Sequence, residues 1–260
     1  MSRSRRMAPS LAANWARVAA QVRAANHVVV FLDFDGTLVN LAPLPTQVRL
    51  APAARRVLRR LARHPRVTVA MISGRRRSEL RHYVGLRGIH YCGLYGWERH
   101  SRSTLPTPVL AALRKFRSQL SSHLSHIPGL WIEDKQFSMT IHLLDVAPEA
   151  QRRVRRLIRS RLRPFQSTLR LIENLRDAEV VPRCMEGKGK AVHRFLAGQA
   201  VTRILPFYFG DDLSDEPAFA AIGAGISVRV GAARPTRARY SVRHPAAVAA
   251  VLGKLEAALK

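Results

Sequence analysis

The chain has 260 residues, of which 47% are hydrophobic. It is therefore long and apolar enough to bury the core of one large domain or of two modest ones. No apolar run is long enough to cross a bilayer, and the basic N-terminus lacks the continuous apolar core of a signal peptide. With only 2 cysteines, a disulfide framework is excluded, and a reducing, cytoplasmic location is expected.

The charge is strongly basic, since 44 Lys and Arg residues against 17 Asp and Glu residues give a formal net charge of +27. Such a balance is typical of proteins that bind nucleic acid, anionic membranes or acidic substrates. Here, however, the arginines are spread along predicted helices, among Val and Leu residues at helical spacing. We interpret them as a solvated basic face and expect no specific nucleic acid partner.

Strand and helix patterns alternate in the first part of the chain, after a basic helix predicted over residues 1–26. The first strand, residues 28–32, is an unbroken apolar run, which is typical of a strand buried on both faces of a parallel sheet. The elements predicted after it are a helix at 52–64, a strand at 67–72, a helix that contains Leu80 and Val84, and a strand at 89–93. Later in the chain come a helix at 188–196, a strand at 204–209, a short helix that begins with 217–221, a strand at 225–230 and a helix at 245–260. This alternation predicts βαβ units and a parallel sheet.

The pattern changes between residues 104 and 182. Helices predicted at 109–125 and 148–162 accompany alternating strand patterns at 131–143, 168–173 and 178–182. Helices combined with short alternating strands are typical of a small α+β unit. The predicted fold class is therefore α/β: a core of residues 27–103 and 183–260, with a parallel sheet between helices, interrupted by an inserted α/β domain at 104–182.

Two aspartates, Asp33 and Asp35, directly follow the first predicted strand, and Gly36 and Thr37 come next. Two carboxylates one residue apart at the end of a buried strand need a cation or a proton to offset their charge. The carboxyl edge of a parallel sheet is also where open α/β folds bind ligands. An Asp-Gly turn alone is common, but the complete motif behind five apolar residues is much more specific.

Further polar groups stand at predicted strand ends or helix starts, namely Ser73, Lys188, Asp211, Asp212 and Asp215. A parallel sheet would bring them to one edge, where carboxylates could bind Mg²⁺, a hydroxyl and an ammonium could hold a phosphoryl group, and one aspartate could attack phosphorus. Each group also has a simpler interpretation. Ser73 would be a helix cap, Lys188 a solvated side chain, and residues 210–212 a turn, with Ser214 or Asp215 capping the helix that follows.

These motifs, in this order, resemble those of haloacid-dehalogenase-like phosphatases, and the insertion resembles the α/β cap of the sugar phosphatases among them. The similarity to the trehalose-6-phosphate phosphatase family is closer and runs from about Val28 to the C-terminus. It rests on Ser73-Gly74-Arg75, Gly93-x-x-Gly96-x-Glu98, Glu133-x-Lys135-x-x-Ser138-x-x-x-His142, Lys188-Gly189-x-Ala191 and Gly210-Asp211-Asp212-x-Ser214-Asp215-Glu216-x-Ala218-Phe219. The resemblance implies a HAD-like Rossmannoid core with a cap domain and a sugar phosphate as substrate. We expect a monomer.

The resemblance also implies roles for the motif residues in catalysis. Asp33 is expected to be the nucleophile, which forms an aspartyl-phosphate. Asp35 is expected to protonate the leaving sugar oxygen and then to deprotonate the hydrolytic water, oriented by Thr37. Ser73 and Lys188 are expected to hold the phosphate oxygens.

A Mg²⁺ cofactor and a set of substrate contacts are implied in the same way. The expected metal ligands are Asp33, Asp35 through its main-chain carbonyl, and Asp211, with Asp212 or Asp215 as further or water-mediated partners. The expected substrate-binding residues are Ser73, Gly74, Arg75, Glu98, Glu133, Lys135 and Glu179. For Glu133 and Lys135, a cross-strand ion pair on the surface is an equally good interpretation.

Two positions depart from the family pattern: Tyr95 stands where a His is usual, and Leu144 stands where an Arg is usual. Both positions concern sugar recognition, so another sugar phosphate, such as sucrose phosphate or a mannosyl-phosphoglycerate, remains an alternative substrate. A non-catalytic nucleic-acid-binding protein is a third hypothesis. The intact aspartates argue against it, because clustered carboxylates repel a polyanion.

Overall fold

The computed structural model describes residues 6–42, 45–99 and 104–260. The chain forms two compact units, one consisting of Met1–Arg99 and Glu186–Lys260 and the other of His100–Met185. The inserted unit extends a few residues beyond the predicted 104–182 at each end. Within the described residues, no helix combines the length and the hydropathy that a bilayer-spanning segment requires.

In the part of the chain that the structure describes, ten strands form two separate sheets. The strands are, in chain order, β1 (His27–Leu32), β2 (Val67–Ile72), β3 (Ile89–Cys92), β4 (Trp131–Asp134), β5 (Met139–His142), β6 (Leu169–Glu173), β7 (Asp177–Pro182), β8 (Ile204–Gly210), β9 (Ile226–Val230) and β10 (Tyr240–Val242). The first unit holds a six-stranded sheet in the order β10-β9-β8-β1-β2-β3, in which every neighbouring pair is parallel. The predicted parallel core is thus confirmed, and β10 is an addition, because three residues are too few to show a periodicity.

The packing of β1 explains why residues 28–32 are apolar without interruption. Val28, Val30 and Leu32 pack into the core on one face of the sheet, whereas Val29 and Phe31 pack into a second core on the other face. Because successive side chains of a strand point to opposite faces, a strand covered on both sides has no position left for a polar residue. The first polar side chains therefore come where the strand ends, at the carboxyl edge of the sheet.

Eight helices accompany the two sheets in the described residues. They are α1 (Trp15–Ala24), α2 (Pro52–Leu61), α3 (Arg77–Val84), α4 (Thr107–Leu124), α5 (Pro148–Leu162), α6 (Lys188–Ala197), α7 (Glu216–Ala221) and α8 (Pro245–Ala258). The helices α2 and α5 both begin at a proline, whose missing N–H costs nothing in a first helical turn.

The N-terminal helix is shorter than the predicted 1–26, because α1 begins at Trp15. Residues 1–5 lie outside the described part of the chain. Pro9 has no N–H and disfavours a helical conformation in the residue before it. The segment instead runs along the edge of the parallel sheet, where the Ser241 N–H donates to the Pro9 carbonyl at 2.9 Å and the Leu11 N–H donates to the Ser241 carbonyl at 2.9 Å.

The second unit consists of an antiparallel sheet and two helices, which confirms the predicted insertion of α/β character. Its strand order is β4-β5-β7-β6. The helices α4 and α5 cover one face of this sheet and build a separate core with Phe116, Leu120, Val154 and Ile158. A core separate from those of the first unit is consistent with a parallel domain that carries a folded insertion.

Candidate active site

Three neighbouring strands deliver polar residues to one edge of the parallel sheet. In β1, Leu32 pairs with Met71 of β2 and with Phe209 of β8. The residues that follow these strands, Asp33, Ser73 and Asp211, therefore lie at the same edge. Open α/β sheets bind their ligands at this edge, and the first turn of α6 adds Lys188 to it.

The Lys188 ammonium lies between two carboxylates. Its Nζ is 3.0 Å from Oδ2 of Asp33 and 2.7 Å from Oδ1 of Asp215. All three residues are buried, Asp215 completely. The interpretation of Lys188 as a solvated side chain is therefore wrong. The buried ammonium offsets the charge of two buried carboxylates, which would otherwise be costly to bury.

Asp215 is occupied by four donors. Its Oδ1 accepts from Lys188 and, at 2.8 Å, from the Tyr208 hydroxyl, and its Oδ2 accepts from the main-chain N–H groups of Asp211 and Asp212 at 3.1 and 2.9 Å. A carboxylate has about four lone-pair sites, so Asp215 is fully used in holding the loop and the lysine. Its side chain makes no capping hydrogen bond to α7, so the interpretation of Asp215 as a cap of the following helix is wrong.

The Tyr208 side chain is a member of this cluster that the sequence analysis missed. It lies on β8 and is completely buried. Burial raises the pKa of its hydroxyl well above the usual value, with Asp215 and Asp33 adding to the effect, so the group stays protonated and donates. The only signal in the sequence is a single hydroxyl in an otherwise apolar strand.

Asp211 is held from the opposite side of the loop. The Thr37 hydroxyl donates to its Oδ1 at 2.9 Å. Thr37 was expected to orient Asp35, so its observed partner corrects that assignment. Gly36 has φ +76°, and a Cβ at this position would overlap the Asp211 carboxylate. The glycine of the motif therefore serves both the left-handed turn and the close approach of Asp211.

The Asp35 carboxylate binds Arg75 and is not a member of the group formed by the other aspartates. The guanidinium donates from Nε to Oδ2 at 2.6 Å and from Nη2 to Oδ1 at 2.7 Å. Arg75 is itself buried. The residue was expected to contact the substrate, and the described contacts assign its guanidinium to Asp35.

The electrostatics of the edge reflect crowded negative charge. Burial raises the pKa of Asp33 well above its usual value, with Asp215 and Asp211 adding to the rise and Lys188 opposing it. Burial likewise raises the pKa of Asp211 to about 7, and the charges of Asp215 and Asp212 add to this effect. The pKa of Lys188 is raised because the charges of Asp215 and Asp33 outweigh the effect of burial, which acts in the opposite direction. A divalent cation beside Asp33 and Asp211 would relieve this repulsion.

The donor set fits a hard divalent cation. One carboxylate oxygen each of Asp33, Asp211 and Asp215 lies within 4.8 Å of the other two. Asp215 already accepts four hydrogen bonds, so Asp33 and Asp211 are the members of this group whose oxygens are available to a metal ion. Asp212 is not part of this group, and its carboxylate accepts from the Leu213 N–H at 2.6 Å instead. Carboxylate and carbonyl oxygens are the ligands that Mg²⁺ prefers.

The remaining residues predicted in the first unit support the loop after β2. The Ser73 hydroxyl is buried and accepts from the Arg75 N–H at 3.2 Å. Because α3 begins at Arg77 with Arg76 as its N-cap, the interpretation of Ser73 as a helix cap is wrong. Glu98 accepts from the Arg77 N–H at 2.7 Å and pairs with Arg76 at 2.9 Å. Tyr95 has φ +60° and is buried, which is an unusual conformation for a bulky residue. Contacts of Ser73, Gly74 and Glu98 with substrate stay predictions.

The predicted substrate residues of the second unit form contacts of their own. Lys135 pairs with Glu179 at 3.3 Å, and Glu179 also accepts from the Ser138 hydroxyl at 2.6 Å. Lys135 and Glu179 have only 10% and 2% of their side chains exposed, so this ion pair is not a surface pair. The carboxylate of Glu133 contacts His142 at 2.8 Å, whose ring lies flat against that of Trp131. Leu144, by contrast, is exposed.

A family model described as trehalose-phosphatase matches residues 31–246. The chain belongs to the trehalose-phosphatase family. The match includes every motif that the sequence analysis singled out, from Asp33 to Phe219, and it confirms the resemblance on which the roles were based.

Individual members of the family and one solved structure show how far the similarity reaches. The chain is 30% identical over 244 residues to a trehalose-phosphate phosphatase of Mycobacterium ulcerans, covering 88% of this chain and 62% of the relative. It is 30% identical over 250 residues to a trehalose-phosphate phosphatase of Mycobacterium tuberculosis, covering 91% and 63%. The chain therefore spans about three fifths of the length of these curated relatives.

The fold is similar to that of the C-terminal domain of Candida albicans trehalose-6-phosphate phosphatase. The TM-score is 0.82 and the identity is 19%, over 96% of this chain and 98% of that one. At this identity the likeness concerns the fold alone. It confirms the predicted fold class, a HAD-like Rossmannoid core with an inserted α/β domain.

Proposed function

We propose that this protein is a phosphatase that hydrolyses trehalose 6-phosphate to trehalose and phosphate, the last step of trehalose biosynthesis. The observation that carries the proposal is the arrangement of Asp33, with Lys188 at 3.0 Å and Asp211 in the same carboxylate group. Membership in the trehalose-phosphatase family supports the choice of substrate.

The reaction has two steps that pass through Asp33. In the first, a carboxylate oxygen of Asp33 attacks phosphorus in line, the bond between phosphorus and the sugar oxygen breaks, and Asp35 gives its proton to that oxygen. In the second, Asp35 takes a proton from a water molecule whose oxygen attacks phosphorus, and the bond between phosphorus and Asp33 breaks. Phosphate leaves, and both aspartates return to their starting states.

Lys188 lowers the cost of bringing a phosphate dianion to a carboxylate nucleophile. Its ammonium contacts the Asp33 oxygen directly and offsets the repulsion between the two anions. Asp215 holds Lys188 in place, and its own charge is satisfied by the four donors described above. Ser73 is our candidate for a further hydrogen bond to a phosphate oxygen.

The carboxylates of Asp33 and Asp211 and the main-chain carbonyl of Asp35 would hold Mg²⁺. The ion would neutralise charge on the phosphoryl oxygens and orient the group for attack. Thr37 fixes the Asp211 carboxylate through its hydroxyl, and Gly36 gives that carboxylate the space it occupies. Asp212 and Asp215 act on the loop rather than on the ion.

Sugar recognition rests on residues that stay candidates. Glu133, Lys135 and Glu179 belong to the inserted unit, and they combine charge with partial or complete burial. Tyr95 and Leu144 depart from the family pattern and would tune the preference for the disaccharide. Among the residues that the structure describes, no contact favours sucrose phosphate, a mannosyl-phosphoglycerate or a nucleic acid over trehalose 6-phosphate. The cytoplasmic location and the monomeric state also stay predictions.

The deciding experiment is phosphate release from trehalose 6-phosphate with and without Mg²⁺, beside sucrose 6-phosphate and glucose 6-phosphate. We expect metal-dependent release that strongly prefers trehalose 6-phosphate and is lost in Asp33→Asn. Release from another sugar phosphate would keep the mechanism and change the substrate. No release from any of them, by folded protein with Mg²⁺ bound, would overturn the proposal.

A further inference from the structure

The contact between Arg75 and Asp35 joins the loops that follow β1 and β2. The guanidinium and the carboxylate meet as two forks, with Nε–Oδ2 at 2.6 Å and Nη2–Oδ1 at 2.7 Å. Two parallel charge-assisted hydrogen bonds fix the plane of a carboxylate as well as its position. A single hydrogen bond, or a lysine in place of the arginine, leaves that plane free to rotate.

The arginine of this pair is immobilised by its surroundings. Its side chain is only 7% exposed, and its Cζ lies 5.4 Å from the centre of the Phe34 ring and 5.0 Å from the centre of the Tyr83 ring. These two rings are themselves stacked, with centres 6.1 Å apart. An arginine held by two aromatic rings acts as a fixed support for its partner.

The other half of the pair remains accessible. The Asp35 side chain is 30% exposed, so it is held on one side and open on the other. The fork occupies two of the about four lone-pair sites of a carboxylate. Each oxygen therefore keeps a free position, on which a proton can be carried while the hydrogen bonds to Arg75 persist.

We propose that Arg75 is a positioning residue that orients Asp35 as the acid and base of the reaction, rather than a ligand of the sugar. This inference rests on the proposed phosphatase function. As the bond between phosphorus and the sugar oxygen breaks, the proton on the free side of Asp35 passes to that oxygen, and Asp33 gains the phosphoryl group. Arg75 exchanges no proton and touches no reacting atom. Its effect is to keep the Asp35 carboxyl group in the one orientation that serves both proton transfers.

The leaving group gives a readout that separates this role from others. Alkyl leaving groups need an acid, whereas aryl leaving groups of low pKa depart without one. We expect kcat/KM of the wild-type protein to vary little across a series of aryl phosphates of graded leaving-group pKa. In Asp35→Asn the dependence becomes steep. If Arg75 acts through Asp35, the dependence of kcat/KM on leaving-group pKa becomes equally steep in Arg75→Gln. The kcat/KM of this variant for trehalose 6-phosphate falls by about 10²-fold.

A double-mutant cycle completes the test. Arg75→Gln in the Asp35→Asn background should cause no further loss of kcat/KM, because the group on which it acts is already removed. Arg75→Lys keeps the charge without the fork and should not rescue the leaving-group dependence. Arg87→Gln removes an exposed charge from the same unit and is the matched control. Where Arg75→Gln does not fold, as judged by its thermal unfolding curve, the cycle is run with Arg75→Lys.

Three results would overturn the inference. A wild-type leaving-group dependence in Arg75→Gln, with a loss confined to trehalose 6-phosphate, would make Arg75 a sugar ligand. An equal loss for every substrate, additive with Asp35→Asn, would make its role purely structural. No phosphate release by the wild-type protein from any substrate would overturn the inference together with the proposed function. Release from aryl phosphates but not from trehalose 6-phosphate would overturn only the proposed sugar substrate, and the leaving-group test would still apply.

Discussion

The Lys188 ammonium lies 3.0 Å from the Asp33 carboxylate and 2.7 Å from the Asp215 carboxylate, with all three residues buried. One cation thus balances the proposed nucleophile and the residue that anchors the loop after β8. Removing the ammonium would leave two buried carboxylates without their counter-charge, so Lys188 contributes to both stability and activity.

We expect Lys188→Met to lower the free energy of unfolding by about 3 kcal/mol, because breaking a buried ion pair leaves an uncompensated charge. It should also lower kcat/KM by about 10²- to 10³-fold, the usual effect of losing one group that stabilises a phosphoryl transition state. Urea unfolding and phosphate release measure the two effects. The matched control is Lys190→Met on the same helix, where the lysine is exposed. Equal behaviour of the two variants would contradict the assigned role.

Tyr208→Phe removes one donor from Asp215 while keeping the ring in the core. The hydrogen bond is 2.8 Å long and goes to a charged, buried acceptor, so we expect a loss of about 2 kcal/mol in unfolding free energy. Activity should fall as well, because Asp215 holds Lys188. In Tyr91→Phe the lost hydroxyl bonds only the neutral main chain of Leu86. That control should lose about 1 kcal/mol and retain its kcat/KM, and a similar drop in activity in both would count against the cluster.

Gly36→Ala should disturb the carboxylates of the proposed Mg²⁺ site more than it disturbs the fold. At φ +76° an added Cβ is strained, and here it would also collide with the Asp211 carboxylate. Gly231 has φ +93° with open space around it, so Gly231→Ala carries the backbone strain of about 1 kcal/mol alone. We expect both variants to lose stability and only Gly36→Ala to lose Mg²⁺ affinity, measured by titration calorimetry. Unchanged affinity in Gly36→Ala would argue against Asp211 as a ligand.

The metal-free protein should become less stable as the pH rises. Asp211 has a pKa of about 7 in the folded state, above that of an aspartate in an unfolded chain, and the pKa of Asp33 is raised in the same direction. Between about pH 4 and pH 7 the folded state therefore binds a proton at Asp211 that the unfolded state has lost, so stability falls over this range.

Binding of Mg²⁺ requires the ionised carboxylates, so its affinity should rise over the same pH range and binding should release protons. Calorimetry near pH 6 in two buffers of different ionisation enthalpy measures this release. Asp212→Asn changes a nearby aspartate outside the carboxylate group and should keep most of the proton release. Asp211→Asn should abolish this release. Binding without proton release near pH 6 would contradict the raised pKa.

Much of the fold could be predicted because the information is local. The apolar run of β1 predicts a strand buried on both faces, and Asp33 and Asp35 mark its end. The same reasoning gave β2 and β8 and, with them, the edge of the sheet where the polar residues meet. It failed at α1, where Pro9 interrupts the expected helix, and at β10, whose three residues carry no periodic signal.

The pairing of side chains at the site could not be predicted in this way. Thr37 was predicted to orient Asp35 and instead donates to Asp211, and the two hydrogen bonds from Arg75 to Asp35 were not predicted. Tyr208 gave no signal beyond a hydroxyl in an apolar strand. For Thr37 and Arg75 the partner comes from a different segment of the chain, brought near by the register of β1 with its neighbours.

The sequence by itself therefore determined the elements, the parallel core with its insertion, and the edge at which chemistry is expected, because the period of apolar residues reports directly on burial. Only the tertiary structure decided which donor meets which acceptor. A hydrogen bond requires two groups to lie within about 3 Å, and that distance depends on strand register, loop conformation and rotamers rather than on the spacing of residues along the chain.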